Sequence, residues 1–214
     1  MAKEVPFFAN TTDGTHCFQA SLAMALAYFK PETTFTFEEL DKISNKAPGK
    51  WTWPTAAMLW MLDNGFELRL IEDFDYDDFA KRGADYIIDR CGKDVAEAQI
   101  KHSIIERELE YAKKFAKLNM VERRLPDFDD ISKLLNQGFL VMCNVNAPAL
   151  YKQPGYSGHF ILIHGCKKDY VVIHDPGLPP RPSYKVLKLD FYNAWAYPTD
   201  NERNLLAVRL KRSK

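Results

Sequence analysis

The chain has no apolar run long enough to cross a bilayer and no excess of charge of either sign. A membrane-spanning helix needs roughly 20 consecutive, mostly apolar residues, and none of that length occurs in the 214 residues. The 29 basic residues are matched by 29 acidic residues, so the overall charge gives no attraction to nucleic acid or to an anionic membrane surface. We therefore expect neither a nucleic-acid partner nor a membrane partner.

Motifs that bind nucleotides or metals are also missing. The sequence contains no glycine-rich phosphate loop, no dinucleotide-binding fingerprint and no HExxH pair. A zinc site built from Cys17, His159 and His174 is conceivable, but none of these residues has a partner at the short spacing that is usual for zinc ligands. The sequence therefore predicts no cofactor and no metal.

Cysteines are few, and no export signal accompanies them. The four cysteines stand at irregular spacings, and residues 1–14 contain no apolar segment typical of a secretory signal. Such cysteines are better explained as free thiols in a reducing compartment than as a disulfide framework. The expected location is the cytoplasm.

Hydrophobic periodicity predicts an α+β fold with helices in the first half and strands in the second. An apolar helix runs from Cys17 to about Phe29, the pair Thr36 and Glu39 forms a capping box, and a third helix begins at Pro54. We expect the helices on one side of an antiparallel sheet. The predicted strands are a short β-like segment at 5–8 and strands at 66–71, 139–147, 159–166, 170–175, 184–189 and 205–210. A further capped helix is expected at 127–138.

The stretch from residue 72 to about residue 120 differs from the rest of the chain. It is charged, and its apolar residues recur at steps of three and four, which predicts a helical hairpin or insertion packed on the core. We interpret the chain as a single domain, residues 1–214, that carries this insertion. An amphipathic structural helix is the simpler explanation of the stretch, and a lid or substrate-selecting subdomain is the alternative.

Cys17 stands directly after a turn-like run, "NTTDGTH", at the first step of the apolar helix. Unpaired N–H groups and the helix dipole stabilise a thiolate at such a position. A free cysteine is more often a small packing residue, so the position alone does not establish chemistry. The other cysteines have no comparable surroundings: Cys91, Cys143 and Cys166.

His159 and Asp175 provide the partners that a nucleophilic cysteine needs. His159 begins an apolar strand, and Asp175 ends the next one, after the turn "KKD". If these strands pair as an antiparallel hairpin, the two residues lie at the same end of it. Each has an ordinary explanation by itself, as a capping histidine and a turn aspartate. Together with Cys17, they form the arrangement that thiol-dependent acyl transfer requires.

Three segments, "VPFFANTTDGTHCFQASLAMAL", "GHFILIHGC" and "YVVIHDPG", resemble papain-like cysteine peptidases related to the bacteriocin-processing (double-glycine leader) peptidases. The resemblance covers residues 5–28 and 139–192. It implies a papain-like fold, with Cys17 as nucleophile, His159 as general base and acid, and Asp175 as the orienting carboxylate. It also implies that Asn10 and the Cys17 N–H stabilise the oxyanion.

The chain departs from the family pattern at two positions. Asn10 replaces a glutamine, with one extra residue before the cysteine, and Phe18 replaces the glycine that usually follows the cysteine. The resemblance predicts a thiol hydrolase, a cysteine peptidase or amidase, that acts on a peptide or amide through a thioester. An acyl- or peptidyl-transferase with the same triad, and a non-catalytic peptide-binding module that keeps the fold, remain as alternatives.

Overall fold

A seven-stranded sheet organises the molecule in a computed structural model that describes residues 4–211. Residues 1–3 and 212–214, the two ends of the predicted domain, lie outside the described residues. The spatial order of the strands is β2-β1-β7-β3-β4-β5-β6. Their bounds are β1 Phe66–Glu72, β2 Val121–Glu122, β3 Leu140–Asn146, β4 Gly158–Cys166, β5 Tyr170–Asp175, β6 Arg181–Leu187 and β7 Asn204–Leu210. β1 and β2 pair in parallel, and the other neighbours pair antiparallel.

Helices supply most of the first half of the described chain. Their bounds are α1 Cys17–Phe29, α2 Phe37–Ser44, α3 Thr55–Asp63, α4 Tyr76–Arg82, α5 Ala84–Cys91, α6 Lys93–His102, α7 Ile105–Ala116, α8 Phe128–Asn136, α9 Ala147–Leu150 and α10 Lys188–Trp195. Within residues 4–211, no helix combines the length and the apolar character that spanning a membrane requires. The predicted α+β class is confirmed.

Local capping explains where two of these helices start. Thr36 accepts a hydrogen bond from the Glu39 N–H, and the Glu39 carboxylate accepts one from the Thr36 N–H, as the capping box predicted. Asp127 caps α8 in the same reciprocal way with Asp130. α1 begins at Cys17 and ends at Phe29, as expected from its apolar run.

The sheet is covered on both faces, so the expectation that the helices gather on one side is wrong. Alternate side chains along β3 and β4 enter two separate hydrophobic clusters. One cluster holds residues of α1–α7, and the other holds residues of α8 and α10. The expectation failed because α8 and α10, which follow the first seven helices in the chain, pack on the opposite face.

The stretch after β1 forms four short helices, α4 to α7, instead of a hairpin of two longer ones. Gly83 and Gly92 separate α4, α5 and α6, with φ of 57° and 78°. Residues with a side chain rarely adopt positive φ, so the two glycines allow the chain to turn between successive helices. α4 packs against α7, and α7 against α3, so this stretch lies on the α1 side of the sheet.

Two other strand predictions need correction. The strand expected at 184–189 ends at Leu187, and α10 begins at Lys188. Residues 5–8 form no strand, although the Val5 carbonyl accepts a hydrogen bond from His174 Nε2 at 3.0 Å. Pro6 lacks the N–H that a strand would donate.

Candidate active site

A hydrogen-bonded loop holds the start of α1 in place. The Asn10 side-chain oxygen accepts the N–H of His16 at 2.7 Å and that of Thr11 at 2.9 Å. Asp13 accepts hydrogen bonds from the hydroxyls of Thr11 and Thr15 at 2.6 and 2.9 Å. These bonds fix the backbone on the N-terminal side of the first helical residue.

Cys17 is that first helical residue, and its side chain is partly exposed. Its own N–H has no hydrogen-bond acceptor among residues 4–211, as expected in the first turn of a helix. The next residue, Phe18, is only 1% exposed and packs edge-on against Phe160 at a centroid distance of 4.9 Å. The bulky side chain that replaces the usual glycine is therefore mainly accommodated in the core.

The structure brings His159 and Asp175 together at the same end of the β4–β5 hairpin. His159 Nε2 lies 2.7 Å from Asp175 Oδ1, and both side chains are buried. Because Nε2 is engaged by Asp175, Nδ1 is the ring nitrogen that can exchange a proton with Cys17. The β4–β5 pairing responsible for this proximity is antiparallel, as predicted from the turn between the strands.

The His159 imidazole, which lines the same cavity as Cys17, affects the ionisation of the thiol. Burial opposes ionisation of Cys17, but a hydrogen bond with His159 and the charge of that ring outweigh it and hold the pKa of the thiol below its ordinary value. The backbone N–H groups of Phe160 and Phe18 add to the lowering. The geometry therefore favours a thiolate.

The pKa values of His159 and Asp175 shift in the directions that favour their charged forms. Burial lowers the pKa of His159, but hydrogen bonds to Asp175 and Cys17 overcome this and raise it to about 10. Burial raises the pKa of Asp175, yet the bonds from His159, Tyr151 and the Gly177 N–H lower it overall. The three shifts together favour the thiolate, the imidazolium and the carboxylate.

The remaining cysteines behave in the opposite way. Burial raises the pKa of Cys91 to about 12, and it also raises the pKa values of Cys143 and Cys166. All four cysteines are free thiols. Cys17 is thus distinguished from the others by its partners, since burial alone would make every one of these thiols harder to ionise.

Sequence reasoning missed two residues that support Asp175. The Tyr151 hydroxyl donates to Asp175 Oδ2, and the Gly177 N–H donates to Oδ1 at 2.9 Å. The Arg181 guanidinium lies 4.2 Å from the centre of the Tyr151 ring and helps to hold it. Gly177 was visible in the sequence only as a turn glycine after Asp175, and nothing local marked Tyr151.

His174 has no nitrogen left for a metal. Nε2 donates to the Val5 carbonyl, and Nδ1 accepts the Ser183 N–H at 3.0 Å. The conceivable zinc site with Cys17 and His159 would need one of these nitrogens as a ligand. The two hydrogen bonds instead fix His174 as a neutral structural residue.

Cys17 and His159 line the wall of a cavity of about 200 Å³. The cavity extends from the start of α1 and β4 to side chains of α5 and α6. Asn10 is not among the lining residues. Since its oxygen is engaged by the backbone of the loop, its Nδ2 is the only free hydrogen-bonding group of the side chain.

Comparisons with known proteins identify the fold and the family. The peptidase domain of Streptococcus ComA, a bi-functional ABC transporter involved in a quorum-sensing pathway, superposes with a TM-score of 0.50 at 13% identity. The alignment covers 98% of this chain and 100% of that domain, so the fold is shared. A putative C39-like peptidase from Bacillus anthracis aligns with a TM-score of 0.48 at 18% identity, over 99% of this chain and 96% of the other.

No curated protein sequence matches the chain. The Peptidase_C39 like family, in contrast, matches residues 2–201, nearly the whole sequence. The resemblance to papain-like bacteriocin-processing peptidases is thereby confirmed, together with the α+β peptidase fold. The chain belongs to the Peptidase_C39 like family.

Proposed function

We propose that the protein is a cysteine peptidase that cleaves a peptide or amide bond through Cys17, His159 and Asp175. The observation that carries the proposal is that His159, which is bonded to Asp175 Oδ1 at 2.7 Å, lines the same cavity as Cys17. Membership of a peptidase family supports it. The cavity beside Cys17 gives a peptide access to the sulfur.

The first step forms a thioester. The Cys17 thiolate attacks the carbonyl carbon of the substrate, and the electron pair of the C=O bond moves to its oxygen. His159 in the imidazolium form gives its Nδ1 proton to the departing amine as the C–N bond breaks. Asp175 keeps the ring oriented through Nε2 and stabilises its positive charge.

The second step releases the acid and restores the thiolate. His159, now neutral, takes a proton from water while the water oxygen attacks the thioester carbonyl. The C–S bond breaks, the carboxylic acid leaves, and the thiolate and imidazolium reform. An amine that enters in place of water would give transfer instead of hydrolysis.

The oxyanion of each tetrahedral intermediate needs hydrogen-bond donors. We assign this role to the N–H of Cys17, which has no acceptor in the described chain, and to Nδ2 of Asn10. The loss of one such donor typically costs about 10²–10³ in kcat. Asn10 can donate while its oxygen holds the loop, because the two ends of the amide act separately.

Product analysis tests the proposal. The protein is incubated with a diverse peptide mixture, with and without a small added amine, and the products are identified by mass spectrometry. New carboxyl termini that depend on Cys17 support a peptidase, and Cys17-dependent adducts of the amine instead support a transferase. Peptides that bind but stay intact would identify a non-catalytic module.

Replacing Gly177 tests whether the position of the Asp175 carboxylate matters for turnover. A Cβ at this position would lie 2.9 Å from Asp175 Oδ1, 3.2 Å from the Tyr151 hydroxyl and 3.4 Å from His159 Nε2. Gly177→Ala should therefore displace the carboxylate or the ring. We expect kcat/KM to fall about 10²-fold, the cost of a misplacement near 1 Å.

Thermal unfolding is measured beside kcat/KM for this variant, to separate misplacement from unfolding. Tyr151→Phe removes only the hydroxyl that reaches Asp175, without adding atoms, and should lower kcat/KM less than Gly177→Ala does. A Gly177→Ala variant with wild-type kcat/KM would show that the Asp175 position is unimportant for turnover.

A further inference from the structure

The cavity beside Cys17 has room for much more than a single water molecule. Its volume of about 200 Å³ far exceeds the roughly 10–15 Å³ that one water molecule needs. The same cavity that exposes Cys17 and His159 is lined by Glu72 at the end of β1 and by Arg90 of α5. A substrate side chain held there would therefore be close to the sulfur.

Two glutamate carboxyl groups and one arginine line this cavity. Glu72 and Glu202 both line it, and within residues 4–211 no lysine and no second arginine does. Burial raises the pKa of Glu72 to about 7 and also raises the pKa of Glu202. These raised pKa values mean that nearby donors and positive charges do not fully offset the cost of burying the ionised carboxylates.

Arg90 compensates the two carboxyl groups only in part. Its terminal nitrogens donate to the backbone carbonyls of Asp73 and Asn201, and its Nε lies 3.5 Å from Glu202 Oε1. That buried oxygen accepts no hydrogen bond from the described residues. Glu72 accepts one hydrogen bond, from the Tyr76 hydroxyl at 2.7 Å, and forms no ion pair within the described chain. A cation with N–H donors would satisfy both carboxylates.

Aromatic rings form much of the remaining wall. Tyr156 and Tyr197 stack at a centroid distance of 6.0 Å, and the Phe74 ring already lies 5.5 Å from the Arg90 guanidinium. All three side chains line the cavity. Such rings accommodate both an alkyl stem and a guanidinium plane, through apolar contact and cation–π attraction.

We propose that this cavity binds an arginine or lysine side chain of the peptide substrate, with its stem against the aromatic wall and its cationic end against Glu72 and Glu202. This inference rests on the proposed peptidase function and names its substrate class. The helices α5 and α6 form part of this cavity wall, through Arg90 and Gln99.

A matched substrate pair tests the inference. Fluorogenic peptide amides carry either arginine or citrulline, its neutral isostere, at successive positions before the scissile bond. Wild-type protein should cleave the arginine peptide with a kcat/KM about 10–10²-fold higher at one position. In Glu202→Gln this ratio should fall towards 1, whereas the exposed α7 variant Glu110→Gln, with the same charge change, should keep it.

Glu72→Gln is the second pocket variant, in case Glu202→Gln unfolds, and it should also lower the ratio. A ratio near 1 in wild-type protein that cleaves both peptides would overturn the inference while the peptidase proposal stands. A second measurement covers a protein that has the pocket but cleaves no peptide. For this, binding of the same two peptides to Cys17→Ala is measured by calorimetry. Tighter, Glu202-dependent binding of the arginine peptide, with no cleavage by wild type, would support the pocket and overturn the peptidase.

Discussion

Cys17→Ala is expected to reduce kcat/KM for peptide cleavage by about 10⁴–10⁶-fold, as the loss of a nucleophile does in other acyl-transfer enzymes. The variant removes the only thiol whose surroundings favour the ionised form. The fold should survive, because Cys17 is partly exposed and makes no disulfide. The measurement is steady-state turnover of a peptide identified by product analysis, together with the melting temperature.

Cys166→Ala is the matched control. This thiol is also free and partly exposed, but it stands at the opposite end of β4 from His159. Its replacement should leave kcat/KM within about twofold, as expected for a residue outside the catalytic group. Turnover that survives in Cys17→Ala would contradict the proposed covalent step.

His159→Gln is expected to reduce kcat/KM by about 10³–10⁴-fold, through the loss of proton transfer and of the thiolate. Glutamine can still donate to Asp175, so the buried carboxylate does not lose its partner. Without the imidazolium, burial is opposed only by the backbone N–H groups of Phe160 and Phe18, so the pKa of Cys17 should rise. The variant should therefore lose both turnover and rapid alkylation of Cys17 near neutral pH.

His164→Gln is the control on the same strand. Its Nε2 is buried without a hydrogen-bond partner in the described chain, and burial lowers the pKa of this ring to about 4. The ring is therefore neutral at working pH and has no part in the proposed chemistry. Equal losses of activity in the two variants would indicate a general effect of changing β4, and would count against a specific role for His159.

Much of the site could be predicted from local signals. The start of α1 followed from an apolar run after a turn, and the proximity of His159 to Asp175 followed from a short turn between two apolar strands. Both depend on contacts that are close in sequence or imposed by strand pairing. Tyr151, in contrast, directly follows a short helix, α9, whose placement depends on tertiary packing.

The parts that could not be predicted depend on long-range placement. The Arg90–Glu202 ion pair joins α5 to the turn before β7, and no local pattern relates the two residues. The chain between β1 and β2 turns between short helices at Gly83 and Gly92, but the helical periodicity of the stretch alone favoured fewer, longer helices. The chain from Leu187 into α10 favours a strand by composition, but the packing of Phe191 and Trp195 into the core makes it helical.

The central claim is that Cys17 is a thiolate paired with the His159 imidazolium. The pKa of Cys17 sets the acid limb of the activity profile. Because this pKa is lowered, turnover should rise at pH values below the usual pKa of a cysteine thiol. The pKa of about 10 for His159 sets the alkaline limb, because turnover needs the imidazolium proton. The profile should therefore be bell-shaped, with its plateau including neutral pH.

The most direct measurement is the rate of alkylation of each cysteine by iodoacetamide against pH, resolved by peptide mapping. Cys17 should react rapidly already near pH 6, well below the ordinary thiol pKa of about 8.5. Within the same protein Cys91, Cys143 and Cys166 should remain slow there, because burial raises the pKa of each. A Cys17 rate that rises only with a pKa near or above 8.5 would contradict the account.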